Sequence, residues 1–240
     1  MKPRSGIIVA LSGVESAGKS TQLKHLLDEL TAGGSRCVSL WTRPGYTPRI
    51  GILKRAIRWL TGKKKDSPDA ESQGPGEYPK RASSFRSPMK RWLWLSAGML
   101  ELLWIYGVHL RLLQLRGKVV LCDRYLLDCL VDYRTFFPDQ RVERSWLGRL
   151  LRRFAVKPDA SFLLLIPAKE SLARNEIRSR HHREKLEVLD TRVMHYRNLA
   201  EELEVEIVDG TRSIVEIADD LREGVARVLV GSHKNSRISS

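Results

Sequence analysis

Near its start the chain carries a segment suited to holding phosphate groups, GVESAGKS from Gly13 to Ser20. It matches the pattern G-x-x-x-x-G-K-[ST], in which the glycines let backbone N–H groups close around phosphate oxygens. In that pattern Lys19 reaches the β and γ phosphates of a nucleotide, and the Ser20 hydroxyl ligates Mg²⁺. A glycine-rich turn without a ligand is the alternative interpretation. The predicted nucleotide-binding residues are Gly13, Val14, Glu15, Ser16, Ala17, Gly18, Lys19, Ser20 and Thr21.

A second pair of residues, Asp123 and Arg124, could complete the same chemistry. They follow the apolar run KVVLC, where an enzyme with this glycine-rich segment needs a carboxylate to hold Mg²⁺ or its water. We therefore predict Ser20 and Asp123 as the metal ligands, and Arg124 as a cation at the phosphates. The alternatives are that Asp123 caps the next segment and that Arg124 forms a surface ion pair.

Five apolar runs alternate with helical patterns along the chain. Continuous runs rich in leucine and β-branched residues predict buried strands of a parallel sheet. Between them apolar residues recur at helical spacing, as Leu23, Leu26 and Leu30 do directly after the glycine-rich segment. This alternation predicts an α/β fold, a five-stranded parallel sheet with helices on both faces, in the three-layer arrangement of P-loop NTPases. The predicted strands cover residues 7–11, 36–41, 118–122, 160–166 and 205–208.

Several charged residues directly follow predicted strands, namely Glu15, Arg43, Asp123 and Arg124. In an open parallel sheet, ligands bind beyond the carboxyl ends of the strands. We therefore expect these side chains to converge on the glycine-rich segment.

Length and composition favour one domain over residues 1–230, since 240 residues with 42% hydrophobic content can bury a full core. Residues 61–91 are rich in Pro, Gly, Ser and Lys and predict a mobile basic insertion, and residues 231–240 predict a disordered tail. The net charge of +14 predicts attraction to polyanions, whether nucleotide phosphates, nucleic acid or an anionic surface reached through the insertion.

The cysteines and the N-terminus favour a cytoplasmic location. Cys37, Cys122 and Cys129 show no paired or metal-binding spacing, and no cleavable apolar segment follows the basic start. Residues 92–110 are apolar enough to resemble a membrane span, but Glu101 would lie at its centre at a cost of about 2.5–3.5 kcal/mol. We therefore predict a long buried helix and no transmembrane segment.

The motifs taken together resemble those of the thymidylate kinases. The resemblance rests on GVESAGKSTQ, TRPGYT at 42–47, DRY at 123–125, P-D-x-x-x-x-L at 158–164 and the basic segment 174–183. It extends from about residue 6 to residue 230 without the insertion. It implies ATP-dependent phosphoryl transfer to a nucleoside monophosphate, chiefly dTMP to dTDP, with Mg²⁺, and a dimer formed through the long apolar helix. The alternatives are a kinase for a different acceptor and an ATP-binding protein associated with nucleic acid.

The resemblance also implies a role for each matching residue. Lys19 would contact the transferring phosphoryl group, and Glu15 would face the acceptor sugar and the metal. Arg43 would contact the acceptor phosphate, although its loop is one residue shorter than the usual form. Arg124 would lie between the donor and acceptor phosphates.

A lid over about residues 174–185 would supply the catalytic arginine. Family members carry this arginine either in the phosphate loop or in the lid, and the loop position here is Ser16. Arg178 and Arg180 are the best candidates, and a solvated basic helix end is the alternative. Asp209, Gly210 and Thr211 would pass beside the adenine.

Four positions depart from the family pattern that selects thymine. Leu95 and Met99 stand where the family has an aromatic residue and an arginine, Asp128 replaces a serine, and Asp132 stands where a tyrosine is common. Asp128 or Asp132 could bind the acceptor, or could only cap and pair within the protein. Kinase chemistry is therefore better supported by the sequence than dTMP as its acceptor.

Overall fold

A computed structural model describes residues 6–42, 88–177 and 184–238 of the chain. Of residues 231–238, as of Pro88 and Lys90, only the backbone is described. Some predicted features lie outside the described residues: Arg43, the lid arginines Arg178 and Arg180, and residues 61–87 of the predicted insertion.

The five predicted strands form one sheet in which every pair is parallel, in the order β2-β3-β1-β4-β5. The central strand β1 is buried along its whole length, as its continuous apolar sequence requires. The register sets Asp123 at the end of β3 beside Leu11 of β1 and Trp41 of β2. The carboxyl ends of these strands therefore share one edge, as predicted. The strands are β1 (Ile8–Gly13), β2 (Cys37–Trp41), β3 (Val119–Asp123), β4 (Ala160–Leu165) and β5 (Glu206–Asp209).

Helices cover both faces of the sheet, and a π-helical segment, Ile105–His109, joins two of them. The first and last helices, α1 and α8, pack on one face, and α3, α4 and α7 pack on the other. This confirms the predicted three-layer α/β fold. The helices are α1 (Lys19–Ala32), α2 (Pro88–Trp104), α3 (Leu110–Leu115), α4 (Leu126–Phe136), α5 (Trp146–Phe154), α6 (Ala168–Ile177), α7 (Leu186–Glu202) and α8 (Ile214–Ile238).

Two predicted boundaries move. Helix α2 begins at Pro88, so the last four residues of the predicted insertion belong to a helix. Helix α8 continues to Ile238, eight residues into the predicted tail.

The helical run from Arg91 to Leu115 is long and apolar enough to cross a membrane by length and composition. Half of its most apolar window is buried inside the fold. Leu102, Tyr106 and Leu110 are fully buried against the sheet and the other helices. The predicted long buried helix is therefore confirmed on one of its faces.

Candidate active site

The glycine-rich segment forms a tight loop between β1 and α1. Gly13 has a φ of 149°, and a Cβ there would lie 2.3 Å from the Leu164 carbonyl oxygen of β4, so only glycine fits. Gly18 precedes α1 with a φ of 94°, in the left-handed region that favours glycine. The two glycines of the motif are therefore required for different reasons, close backbone approach at Gly13 and backbone conformation at Gly18.

The loop presents free donors to a ligand. Within the described residues, the backbone N–H groups of residues 14–18 donate to no protein acceptor. They lie at the N-terminus of α1, where the helix dipole favours an anion. This arrangement fits a phosphate group.

Lys19 lies inside the loop and is 7% exposed. Its Nζ donates to the carbonyl oxygens of Gly13 at 2.8 Å and of Val14 at 2.6 Å. Burial lowers the pKa of Lys19 from 10.5 to about 7, and nearby Arg124 lowers it further against the effect of neighbouring carboxylates. The ammonium group is therefore held in the loop but is poorly stabilised until an anion binds.

Asp123 and Ser20 lie together at the mouth of the loop. The Ser20 hydroxyl donates to Asp123 Oδ2 at 3.5 Å. Burial raises the pKa of Asp123, while Lys19 and Arg124 act in the opposite direction. Within the described residues, no three His, Cys, Asp or Glu side chains gather as a metal site. A metal here would take Ser20 and Asp123 as its protein ligands, which suits Mg²⁺ held mainly by phosphates and water.

Arg124 is buried beside the loop and has an unusual backbone, with a φ of 74°. The Thr42 hydroxyl donates to the Arg124 carbonyl oxygen at 3.0 Å and lies 2.7 Å from the Tyr106 hydroxyl. Arg124 Nη1 lies 3.5 Å from Asp128 Oδ1. Burial disfavours the charged form of Arg124, but the pKa is raised overall, chiefly by Asp128. Arg124 therefore stays charged, and its conformation is held by contacts from two other elements.

Asp128 lies in the first turn of α4 and is 1% exposed. Its Oδ2 accepts from the Tyr125 N–H at 3.0 Å, and its Oδ1 accepts from the Gly13 N–H at 3.3 Å and from the Tyr196 hydroxyl at 2.8 Å. These contacts place Asp128 between the loop and Arg124. A direct contact with the acceptor stays a prediction.

Asp132, one turn further along α4, pairs with Arg192 of α7 at 2.9 Å. Arg192 is fully buried and also contacts Glu184 at 3.1 Å, with its guanidinium 5.5 Å above the Phe136 ring. Asp132 therefore pairs within the protein, and a contact between Asp132 and the acceptor stays a prediction.

The opposite side of the loop is held by α6. The Ser171 hydroxyl donates to the Glu15 carbonyl oxygen at 2.8 Å, and the Ser16 hydroxyl donates to Asn175 Oδ1 at 2.5 Å. Arg174 donates to the carbonyl oxygens of Ser16 at 3.4 Å and of Gly210 at 3.2 Å. Arg174 thereby links the phosphate loop to the turn of Asp209, Gly210 and Thr211, which was predicted to pass beside the adenine.

Comparison with known proteins shows the family to which the chain belongs. The family model described as thymidylate kinase matches residues 104–221. A probable thymidylate kinase of Thermococcus kodakarensis is 33% identical over 175 residues, which cover 72% of each chain. The chain belongs to the thymidylate kinase family. A probable thymidylate kinase of Pyrococcus abyssi is 29% identical over 94% of this chain and 98% of its own, and the thymidylate kinase of Bartonella henselae is 25% identical over the same shares. The resemblance seen in the sequence is confirmed, and the chain is a kinase.

The two family positions that were predicted to have lost their thymine-recognising groups lie in the core. Leu95 and Met99 of α2 are each 1% exposed. They pack among apolar residues of the main core cluster. Neither side chain is exposed at the surface of the described residues.

The structure brings Lys19, Ser20, Asp123, Arg124 and Asp128 close together, and their roles in binding and catalysis stay predictions. Arg174, at the start of the predicted lid, lies in α6 against the loop and is paired with Glu170 at 2.6 Å.

Three supporting residues were missed, Thr42, Arg192 and Tyr196. The signal for the last two was present, since Arg192 and Tyr196 are four residues apart, as are Asp128 and Asp132. Matching the two pairs required the packing of α4 on α7.

Proposed function

We propose that the chain transfers the γ-phosphoryl group of ATP to dTMP, giving dTDP, with Mg²⁺ as the metal. The main support is the meeting of Lys19, Arg124 and the Ser20–Asp123 pair at one edge of the sheet. The names of the family relatives support dTMP as the acceptor.

The residues of the site suit this transfer. Lys19 would leave the carbonyl oxygens of Gly13 and Val14 and donate to phosphoryl oxygens, with the free loop N–H groups beside it. Arg124 would supply positive charge where negative charge spreads in the transition state. Because the acceptor is already a phosphate, alignment and charge suffice and no strong base is required.

Mg²⁺ would be held by Ser20 and Asp123 and would neutralise charge on the phosphates. Carboxylates outnumber cations among the described charged residues around the loop, so a metal and further arginines are needed before two phosphate groups can share the site. The predicted sources are Arg43 and a lid arginine, with Arg178 and Arg180 the candidates. The carboxylates are those of Glu15, Asp123, Asp128, Asp132, Glu170 and Glu184, and the cations are Lys19, Arg124, Arg174 and Arg192.

A panel of acceptors tests the function. The purified chain is incubated with ATP, Mg²⁺ and each nucleoside monophosphate in turn, and the products are separated. We expect dTDP to form faster than any other diphosphate, and the matched variant Lys19→Ala to form none. Faster transfer to another monophosphate would make that compound the acceptor in place of dTMP. A chain that transfers to no acceptor would contradict the proposal.

The alternative of a protein associated with nucleic acid draws on the net charge of +14. It requires binding to DNA or RNA that weakens steeply as salt rises. It also requires that ADP release be independent of any monophosphate, so the same panel separates the two functions.

We also propose that two copies associate through the helical run from Pro88 to Leu115. One face of this run exposes apolar side chains at intervals of three, four or seven residues, a stripe about 40 Å long. A stripe of this kind usually marks an interface, and two copies related by a twofold axis would cover each other's. The exposed stripe residues are Met89, Leu93, Leu100, Trp104, Val108, Leu112 and Leu115.

A cytoplasmic location is supported by the three free cysteines.

A further inference from the structure

Two polar pairs, one helical turn apart, link α4 to α7. Asp128 accepts a hydrogen bond from the Tyr196 hydroxyl at 2.8 Å, and Asp132 lies 2.9 Å from Arg192. All four residues are buried, at 0–1% exposure. The pairing order shows that the helices are antiparallel, with residues i and i+4 of each facing the other. We call this arrangement the α4–α7 ladder.

The first pair of the ladder reaches the phosphate loop. The Tyr196 hydroxyl lies 3.1 Å from the Gly13 carbonyl oxygen, while Asp128 Oδ1 accepts from the Gly13 N–H at 3.3 Å. The same carboxylate lies 3.5 Å from Arg124 Nη1. Asp128 therefore joins the first residue of the loop to the arginine at the phosphates, and Tyr196 contacts both Asp128 and the loop.

The second pair keeps a competing carboxylate away from Arg124. Asp132 lies one turn from Asp128 and is close enough to act on the charge of Arg124. Arg192 pairs with Asp132 and with Glu184, so both carboxylates have a partner other than Arg124. Within the described residues, Asp128 is then the one carboxylate that forms an ion pair with Arg124 and orients its guanidinium.

We propose that Tyr196 is a positioning residue for phosphoryl transfer that acts through Asp128 on Gly13 and Arg124, while Arg192 holds Asp132 away from Arg124. The proposal rests on the proposed function for its rate measurement. Without the Tyr196 hydroxyl, the Asp128 carboxylate loses one of its donors and rotates toward Arg124, which moves the guanidinium from the transferring group. Misplacement of a catalytic group by about 1 Å can cost on the order of 100-fold in rate.

The variant Tyr196→Phe tests this, because it keeps the ring and removes only the hydroxyl. The matched control is Tyr133→Phe, which removes another buried tyrosine hydroxyl from the same region. That hydroxyl has no hydrogen-bond partner within the described residues. We expect kcat to fall by about 10-fold to 100-fold in Tyr196→Phe with little change in the KM for ATP, and to stay unchanged in the control.

A second measurement does not depend on which monophosphate accepts the phosphoryl group. The backbone amide of Gly13 is followed by ¹H–¹⁵N NMR in the full chain. We expect its resonance to shift in Tyr196→Phe and not in Tyr133→Phe, because only the first change alters the acceptor of that N–H.

The outcomes separate the two proposals. If the unmodified chain phosphorylates no monophosphate, the proposed function fails, and the Gly13 resonance alone decides the ladder. An unchanged Gly13 resonance overturns the ladder. An active Tyr196→Phe variant that only melts at a lower temperature, with kcat intact, shows that the hydroxyl is merely structural and also overturns the proposal.

Discussion

At the scale of single residues, the buried ammonium group of Lys19 is unfavourable until a ligand supplies negative charge beside it. Lys19 is surrounded by protein, and among the described residues its ammonium group donates only to the carbonyl oxygens of Gly13 and Val14. Burial therefore lowers its pKa to about 7. Phosphate oxygens would supply the negative charge that is missing, so nucleotide binding and protonation of Lys19 should be linked.

This linkage gives a pH dependence with a definite sign. At pH 8 the free chain holds Lys19 mostly neutral, and bound ATP raises its pKa, so binding takes up close to one proton. The affinity for Mg²⁺–ATP should therefore fall as pH rises above about 7. Isothermal titration calorimetry at pH 8, in buffers of different ionisation enthalpy, measures the uptake directly.

The control for this measurement is Lys19→Met, in which the uptake should disappear. Titration at pH 6 is a second control, since Lys19 is already charged there. The unfolded chain holds this lysine at its ordinary pKa of 10.5, so it binds more protons than the folded chain between pH 7 and 10.5. The contribution of Lys19 to folding stability should therefore rise with pH over that range. Binding at pH 8 without proton uptake would contradict the assigned environment.

At the scale of elements, the helices are positioned by backbone contacts that their own sequences do not reveal. Gly148 of α5 is an example, since a Cβ there would lie 2.2 Å from the Val142 carbonyl oxygen in the preceding turn. Gly107, in the π-helical segment, is different, because a Cβ there meets no heavy atom closer than 3.5 Å. One helical glycine is therefore required by its surroundings and the other is not.

The two glycines predict opposite effects of the same substitution. Gly148→Ala must displace backbone and should lower the free energy of unfolding by about 1–3 kcal/mol. Gly107→Ala should raise it by about 0.5–1 kcal/mol, because alanine loses less backbone freedom on folding. Urea unfolding followed by circular dichroism measures both. Equal effects of the two changes would show that helix propensity, rather than contact, decides stability at these positions.

At the scale of the whole molecule, the long helical run serves two surfaces. One side, with Leu102, Tyr106 and Leu110, is fully buried in the fold. The other side carries the apolar stripe that includes Leu100 and Trp104, which are 52% and 46% exposed. An apolar stripe on the surface of a chain with a net charge of +14 usually marks a site of interaction. A second copy of the chain is the partner we propose.

Charge placed on the stripe should therefore separate the copies. We expect the unmodified chain to sediment as a dimer and Leu100→Arg with Trp104→Arg to sediment as a monomer in analytical ultracentrifugation. The matched control is Val215→Arg on α8, which is 68% exposed and lies away from the stripe. A monomer formed by the unmodified chain, or a dimer unaffected by the two arginines, would contradict this interface.

The sequence by itself determined the elements and the central chemistry of this protein. The segment from Gly13 to Ser20 acts through local backbone geometry, and the apolar runs of the strands depend only on which residues can be buried. The end of β3 then placed Asp123 and Arg124, since parallel strands must deliver their carboxyl ends to one edge. These features are local or periodic, so a single sequence contains them.

The tertiary structure decided which polar groups meet. Asp128 and Tyr196 are 68 residues apart, and Ser16 and Asn175 are 159 residues apart. The core position of Leu95 and Met99, and the requirement for glycine at residue 148, likewise depend on neighbours from other elements. Helical periodicity shows which side chains share a face, but packing selects the partner of that face. The reason is that the burial of apolar surface has no preferred direction. A hydrogen bond or an ion pair, in contrast, needs one particular donor opposite one particular acceptor.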